Sequence, residues 1–163
     1  MTLPSDYTFS KDINELDLQL NDMYRRLREQ IDGYTESFDG KIYGSTSAGT
    51  ATYSLNQCYY VRRGIFVDVF YFITWSGHTG TGDLRIQLPF YEKGHPSSVS
   101  ISAIRTSNLT YPSGTDYCVL EGAPNEDYAV IRGCRDGSSP QIVQMDAAAN
   151  ISFHHSYIGQ IKK

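Results

Sequence analysis

The chain has 163 residues and a formal net charge of −4, with 40% hydrophobic and 20% charged residues, which fits one compact domain plus a small extension and excludes a disordered chain. Lys and Arg form no run longer than pairs such as Arg62-Arg63, so the basic stripe of a nucleic-acid-binding surface is missing. The longest apolar run, Ile65 to Ile73, is broken by Asp68 and is far shorter than the roughly 20 residues of a membrane span, and Met1 to Ser10 lacks the parts of a signal peptide, which places synthesis in a cytosol.

In chain order, the first element is a helix. Ile13, Leu16, Leu20, Met23 and Leu27 recur at alternating spacings of three and four, the seam of a coiled coil, and the register continues to Gln30 and Tyr34. Ser10 is placed to cap the start, and Gly33 suits the left-handed residue after the end. The flanks (Asp12, Asn14, Glu15, Asp17, Asn21, Asp22) are densely polar and the seam is narrow, which favours a stem over a helix lying on its own domain. Leu18 and Ile31 fall outside the seam and favour the second arrangement. The expected organisation is a stem over residues 1–39 and a second unit over 40–163.

After Gly40 the helical period vanishes. Short β-rich runs near 41–44, 49–55, 58–63, 65–76, 83–88, 98–105, 117–121, 128–134, 141–145 and 150–158 are separated by Gly, Pro, Asn and Ser clusters. The expected fold is mainly β, an antiparallel β-sandwich of jelly-roll type behind a short coiled-coil stem. The run from Ile65 is the most informative. One face carries Ile65, Val67, Val69, Tyr71, Ile73 and Trp75, and the other carries Phe66, Asp68, Phe70 and Phe72. A sheet strand in a monomer shows one apolar and one polar face, so the second apolar face predicts cover by a loop or by another subunit. Three copies close with one repeated interface, although Leu at both seam positions is compatible with several oligomeric states.

No catalytic constellation is visible. The Gly-rich stretch Ser76 to Asp83 lacks the Lys of a phosphate loop and joins two strands. His154 and His155 are adjacent on a strand and face opposite ways, and no histidine has a partner at metal-ligand spacing. Hence no metal, no cofactor and no enzyme activity are expected. Asp68, among phenylalanines, predicts an Arg partner such as Arg62, Arg63 or Arg85. Three cysteines (Cys58, Cys118, Cys134) are too few for a disulfide framework, with Cys118–Cys134 the pair to watch.

The stretches Gly49-Thr50-Ala51-Thr52-Tyr53, Tyr59-Tyr60-Val61-Arg62-Arg63-Gly64 and Trp75-Ser76-Gly77-His78-Thr79-Gly80-Thr81-Gly82-Asp83-Leu84-Arg85-Ile86-Gln87-Leu88-Pro89-Phe90, closing with Ile151-Ser152-Phe153 and Ser156-Tyr157-Ile158, carry a resemblance. They resemble the C-terminal knob domains of bacteriophage tail fibres, tail needles and related virion proteins. The resemblance implies a homotrimeric, tumour-necrosis-factor-like knob on a virion, in contact with other virion proteins and with a host-surface glycan or receptor. A purely structural virion component is the alternative. With three parallel stems at one end, recognition falls to loops at the opposite end or between subunits. The candidates are His78 and Asp83, Tyr91 and His95, and Asn108, Tyr111 and Asp116, in loops 76–83, 91–98 and 106–116.

Overall fold

The computed structural model describes residues 6–93 and 100–160, with helix side chains at 15–28. In chain order the elements are α1 (Asp6–Asp32), β1 (Tyr34–Phe38), β2 (Ile42–Gly44), β3 (Thr52–Arg63), β4 (Phe66–Ser76), β5 (Leu84–Gln87), β6 (Tyr91–Glu92), β7 (Ile101–Ser107), β8 (Tyr117–Gly122), β9 (Tyr128–Cys134), β10 (Gln141–Ile142) and β11 (Ala149–Gln160). The strands pair antiparallel in the order β1-β3-β4-β11-β7-β8-β9-β5-β2, with β10 on β9 and β6 on the end of β11.

The first and last strands of that order, β1 and β2, are consecutive in the chain and joined only by Asp39, Gly40 and Lys41. Laid flat, the two edges would stand about 38 Å apart, yet the linking residues reach about 14 Å at most. The sheet must therefore curl until its edges approach. Its bend lies in β7, where Ile104 to Ser107 pair with β11 and Ile101 to Ala103 pair with β8.

A side chain fastens the closure. Gly40 N–H donates to Asn56 Oδ1 at 3.1 Å, and Asn56 Nδ2 donates to the Gly40 carbonyl at 3.0 Å. A Cβ at Gly40 would lie 2.5 Å from Cys58 Sγ and 2.7 Å from both Ile73 and Tyr71, so only glycine fits. Lys41 adds a carbonyl that accepts from Gln87 N–H at 2.9 Å.

The core lies inside the curl. Val67, Val69, Tyr71, Ile73 and Trp75 of β4 are buried at alternate positions, as are Ile151, Phe153, His155 and Tyr157 of β11. Opposite them sit Leu84 and Ile86 of β5, Leu120 of β8 and Ile131 of β9. Each such large apolar side chain stabilises the fold by about 1.5–3 kcal/mol. Polar ends are matched across the core: the Tyr71 hydroxyl donates to the Gln87 carbonyl, and Trp75 Nε1 donates to the Asp146 carbonyl at 3.0 Å.

Several sequence expectations change. The helix already includes Asp6, so Ser10 lies within it and cannot cap its start. Gly33 does end it, with φ of 74°. Tyr34 is not on the helix but opens β1, where it pairs with Arg62 of β3, so residues 34–38 belong to the sheet. The runs 49–55 and 58–63 are one strand, β3, interrupted by a bulge between Tyr53 and Leu55. β6 was not expected. Cys118 lies opposite Gly133 and Cys134 opposite Tyr117, one register apart, so the two thiols point to opposite faces of the sheet.

The seam residues Leu16, Leu20, Met23 and Leu27 are exposed in the single chain. Ile13 lies in the helix, but its side chain is outside the described residues. The second face of β4 is likewise uncovered, with Phe66 61% and Phe72 41% exposed.

Candidate functional site

Strand directions define two ends. α1 reaches the sheet at Tyr34, opposite Arg62, so the turn between β3 and β4, the end of β11 and β6 share the helix end. At the remote end β4 finishes at Ser76, paired with Thr52, while β11 begins at Ala149 and β7 ends at Ser107, opposite Asn150.

The remote end gathers two of the three loops singled out from sequence, 76–83 and 106–116. Segment 143–147 binds both. His78 N–H donates to the Ala147 carbonyl at 2.9 Å, and Thr110 bonds the Asp146 carboxylate through its N–H and its hydroxyl. Tyr91 is elsewhere: it pairs with Gln160 at the helix end. His95 lies outside the described residues.

The individual residues divide by what they touch. His78 is buried, its Nδ1 accepting from Gly80 N–H at 2.9 Å and its Nε2 donating to the Ile42 carbonyl at 3.3 Å. Both nitrogens are committed to holding the loop. Asp83 accepts from Gln144 Nε2 at 2.7 Å. Asn108 is exposed in the left-handed region, with φ of 57°, and Asp116 is exposed with its N–H on the Cys134 carbonyl. Tyr111 is exposed; partial burial pushes its hydroxyl upward, and a hydrogen bond to the Cys118 thiol adds to the shift. Asn108, Tyr111 and Asp116 thus present side chains to solvent, whereas His78 and Asp83 shape the loops.

The outer face of β3, β4 and β11 was only half legible from one strand. Registers place residues in rows, read here from the helix end. Arg63, Phe66 and Ile158 form the first row, and Val61, Asp68 and Ser156 the second. Tyr59, Phe70 and His154 form the third, and Gln57, Phe72 and Ser152 the fourth. Asp68 Oδ1 accepts from the Ser156 hydroxyl at 2.5 Å and lies 3.3 Å from His154 Nε2, while Arg63 stands 3.7 Å from Oδ2. The Arg partner expected for Asp68 is therefore Arg63. In the third row the rings stack in parallel, Tyr59 on Phe70 at 4.7 Å and Phe70 on His154 at 4.5 Å.

Sequence reasoning also missed a buried network near the helix end. Ser100 donates through its hydroxyl and N–H to Glu92 Oε1, while His155 Nε2 lies 2.9 Å from the Ser100 hydroxyl and its Nδ1 2.8 Å from that of Ser102. Burial pushes the Glu92 carboxyl up, but the neighbouring His155, whose Nε2 lies 3.7 Å from Oε2, and the Ser100 hydrogen bonds together outweigh it and hold the group below its ordinary range. Gly122 is required beside it, since a Cβ there would sit 1.5 Å from Glu92 Oε2. Among the described residues no group of three metal-type ligands occurs, and no helix is long and apolar enough to cross a membrane.

The described residues form a mainly β, antiparallel, curled sheet preceded by one helix, and that fold has a counterpart among solved structures. A solved structure that it is similar to is the Dettilon tailspike protein (gp208), at 17% sequence identity and a TM-score of 0.60, over 78% of this chain and 24% of that one. The chain thus spans about a quarter of the tailspike's length. No family model and no curated protein matches.

Proposed function

We propose that the chain is a non-enzymatic appendage domain of a bacteriophage virion, a homotrimer that contacts the host-cell surface through the end remote from its helix. The observation that carries this reading is a pair of apolar surfaces left bare in one chain. The helix seam is exposed along Leu16, Leu20, Met23 and Leu27, and the row Phe66–Ile158 with Ile65 is exposed where the helix meets the sheet. Packing three helices in parallel buries the first, as a coiled-coil stem, and brings the second towards the threefold axis. The two halves of the curled sheet then serve as a compact knob of jelly-roll kind. Likeness to a tailspike supports the virion setting.

With the helices at one end, the remote loops are the part held out to a partner. They offer Asn108, Tyr111 and Asp116, an aromatic ring beside amide and carboxylate groups, and three identical weak sites on one trimer add by avidity. Two measurements test the reading. Sedimentation equilibrium at micromolar concentration gives a trimer, and a monomer mass overturns the assembly. Tyr111→Ala and Asp116→Ala reduce binding to host cells while Tyr91→Ala, at the helix end, does not. Equal binding by all three variants rejects the remote end as the recognition surface, and an intact trimer that binds no cell leaves a structural role in the virion.

A further inference from the structure

We infer that the groove where β1 ends, beside the outer face of β3 and β4, is a binding site for a neutral pyranose. This deepens the attachment reading by naming a receptor chemistry, at a place separate from the remote loops.

The groove exists because β1 stops at Phe38, opposite Cys58, while β3 continues to Thr52 with no strand paired on that side among the described residues. Its volume is about 620 Å³, and Ser37, Asp39, Asn56, Gln57, Tyr59 and Phe72 contribute to its wall. That size falls within the roughly 300–1,000 Å³ of small-ligand sites. Asn56 is spent on the Gly40 clasp. Asp39 and Gln57 are exposed, and no hydrogen bond is made by their side chains or by the Tyr59 hydroxyl among the described residues.

The apolar half of the site comes from the aromatic row. Tyr59 has one ring face stacked on Phe70. Its other face turns toward β1, where the residue in register is Ser37, too short to cover a ring. Phe72, in register with Gln57, is 41% exposed. A pyranose presents C–H groups on one face and hydroxyls around its edge. Rings suit the first, while a carboxylate and a primary amide suit the second. Charge narrows the class further: among the described residues lining that wall Asp39 alone is charged, and Lys41, the cation that shares the adjoining groove with it, does not line this one. A sugar carboxylate would meet it uncompensated, so uronic acids are disfavoured.

The test uses the intact chain with four probes: methyl α-D-glucopyranoside, methyl α-D-galactopyranoside, N-acetyl-D-glucosamine and D-glucuronate, followed by saturation-transfer NMR and calorimetry at millimolar concentrations. At least one neutral probe binds and glucuronate does not. Phe72→Ala and Asp39→Ala each weaken that binding about tenfold, the loss of a ring contact or a charged hydrogen bond, and Asp39→Asn admits glucuronate. The inference is overturned if no neutral probe binds, if glucuronate binds wild type equally, or if both alanine variants bind as wild type. Circular dichroism checks that the variants, all at surface positions, keep their fold. Wild-type protein that binds cells but none of the sugars rejects the groove and leaves attachment standing. Sugar binding without cell binding does the reverse.

Discussion

Replacing Gly40 with alanine is expected to loosen the whole sheet, because this residue sits where the two edges meet. The new methyl would lie 2.5 Å from Cys58 Sγ and 2.7 Å from Ile73 and Tyr71, all three in the core. Accommodating it by moving those side chains costs about 1–3 kcal/mol. Moving the backbone instead strains two hydrogen bonds to Asn56, each contributing about 0.5–1.5 kcal/mol. By either route the loss is about 1–3 kcal/mol, which for a domain of this size lowers Tm by about 2–12 °C. Urea unfolding, followed by Trp75 fluorescence and by far-ultraviolet circular dichroism, measures it. Gly77→Ala is the control: φ there is 63° but nothing lies within 4 Å, so the cost is conformational only, about 1–2 kcal/mol. Asn56→Ala should cost about 2–4 kcal/mol by leaving both polar groups of Gly40 without that partner. In a double-mutant cycle the two losses should be clearly non-additive. If Gly40→Ala unfolds within about 0.5 kcal/mol of wild type, the closure does not depend on close packing and the reasoning fails.

Three further outcomes are expected. Because the folded Glu92 carboxyl is held below its ordinary value, it binds its proton less readily than in the unfolded chain. It therefore contributes stability above the unfolded value that is lost as pH falls through the folded one. Glu92→Gln should remove that part of the acid limb in a plot of Tm against pH, and an unchanged limb would refute the assignment. Cys58, whose thiol burial pushes up to about 11, should react with iodoacetamide at pH 8 only on unfolding; fast labelling of the native protein at Cys58 by mass spectrometry would contradict its position. Truncation to residues 33–163 should keep the β circular-dichroism spectrum, whereas starting at Lys41 removes β1 and the Gly40 clasp and should lower the urea midpoint sharply. Equal midpoints for the two truncations would show that β1 is dispensable.

What the sequence conveyed, and what it did not, follows from the range of the forces involved. The strand from Phe66 to Ser76 was legible because its period of two is local, and Gly33 because a helix end needs a left-handed residue. Tyr34 misled because it continues the heptad spacing, yet pairing with Arg62, nearly thirty residues on, decides its conformation. Gly40 reads as linker punctuation; its role depends on Cys58, Ile73 and Tyr71 converging on it. His78 looked like an available imidazole, and nothing nearby in the chain reveals that the Ile42 carbonyl accepts its Nε2–H. Asp68 was paired correctly with an Arg, but Ser156 and His154 come from a strand about ninety residues later. The stacked row Tyr59–Phe70–His154 spans three strands, so no single segment displays it. Exposed loop residues such as Tyr111 and Asp116 were readable because turn chemistry is local, whereas the placement of Tyr91 at the other end is a matter of topology.

The entry of the helix through β1 also sets a load path. Tension on α1 directed away from the sheet pulls at Tyr34 along the axis of β1, whose register runs from Tyr34↔Arg62 to Phe38↔Cys58. The backbone hydrogen bonds of that ladder are then loaded together in shear, and cannot be opened one after another like a zip. Behind them the Phe38 ring packs against the core, 6.1 Å from Tyr60 and 5.4 Å from Tyr71 between centroids, and resists the same pull. A short edge strand, the weakest kind of sheet member by equilibrium criteria, thereby becomes a mechanical anchor for everything the helix is fastened to.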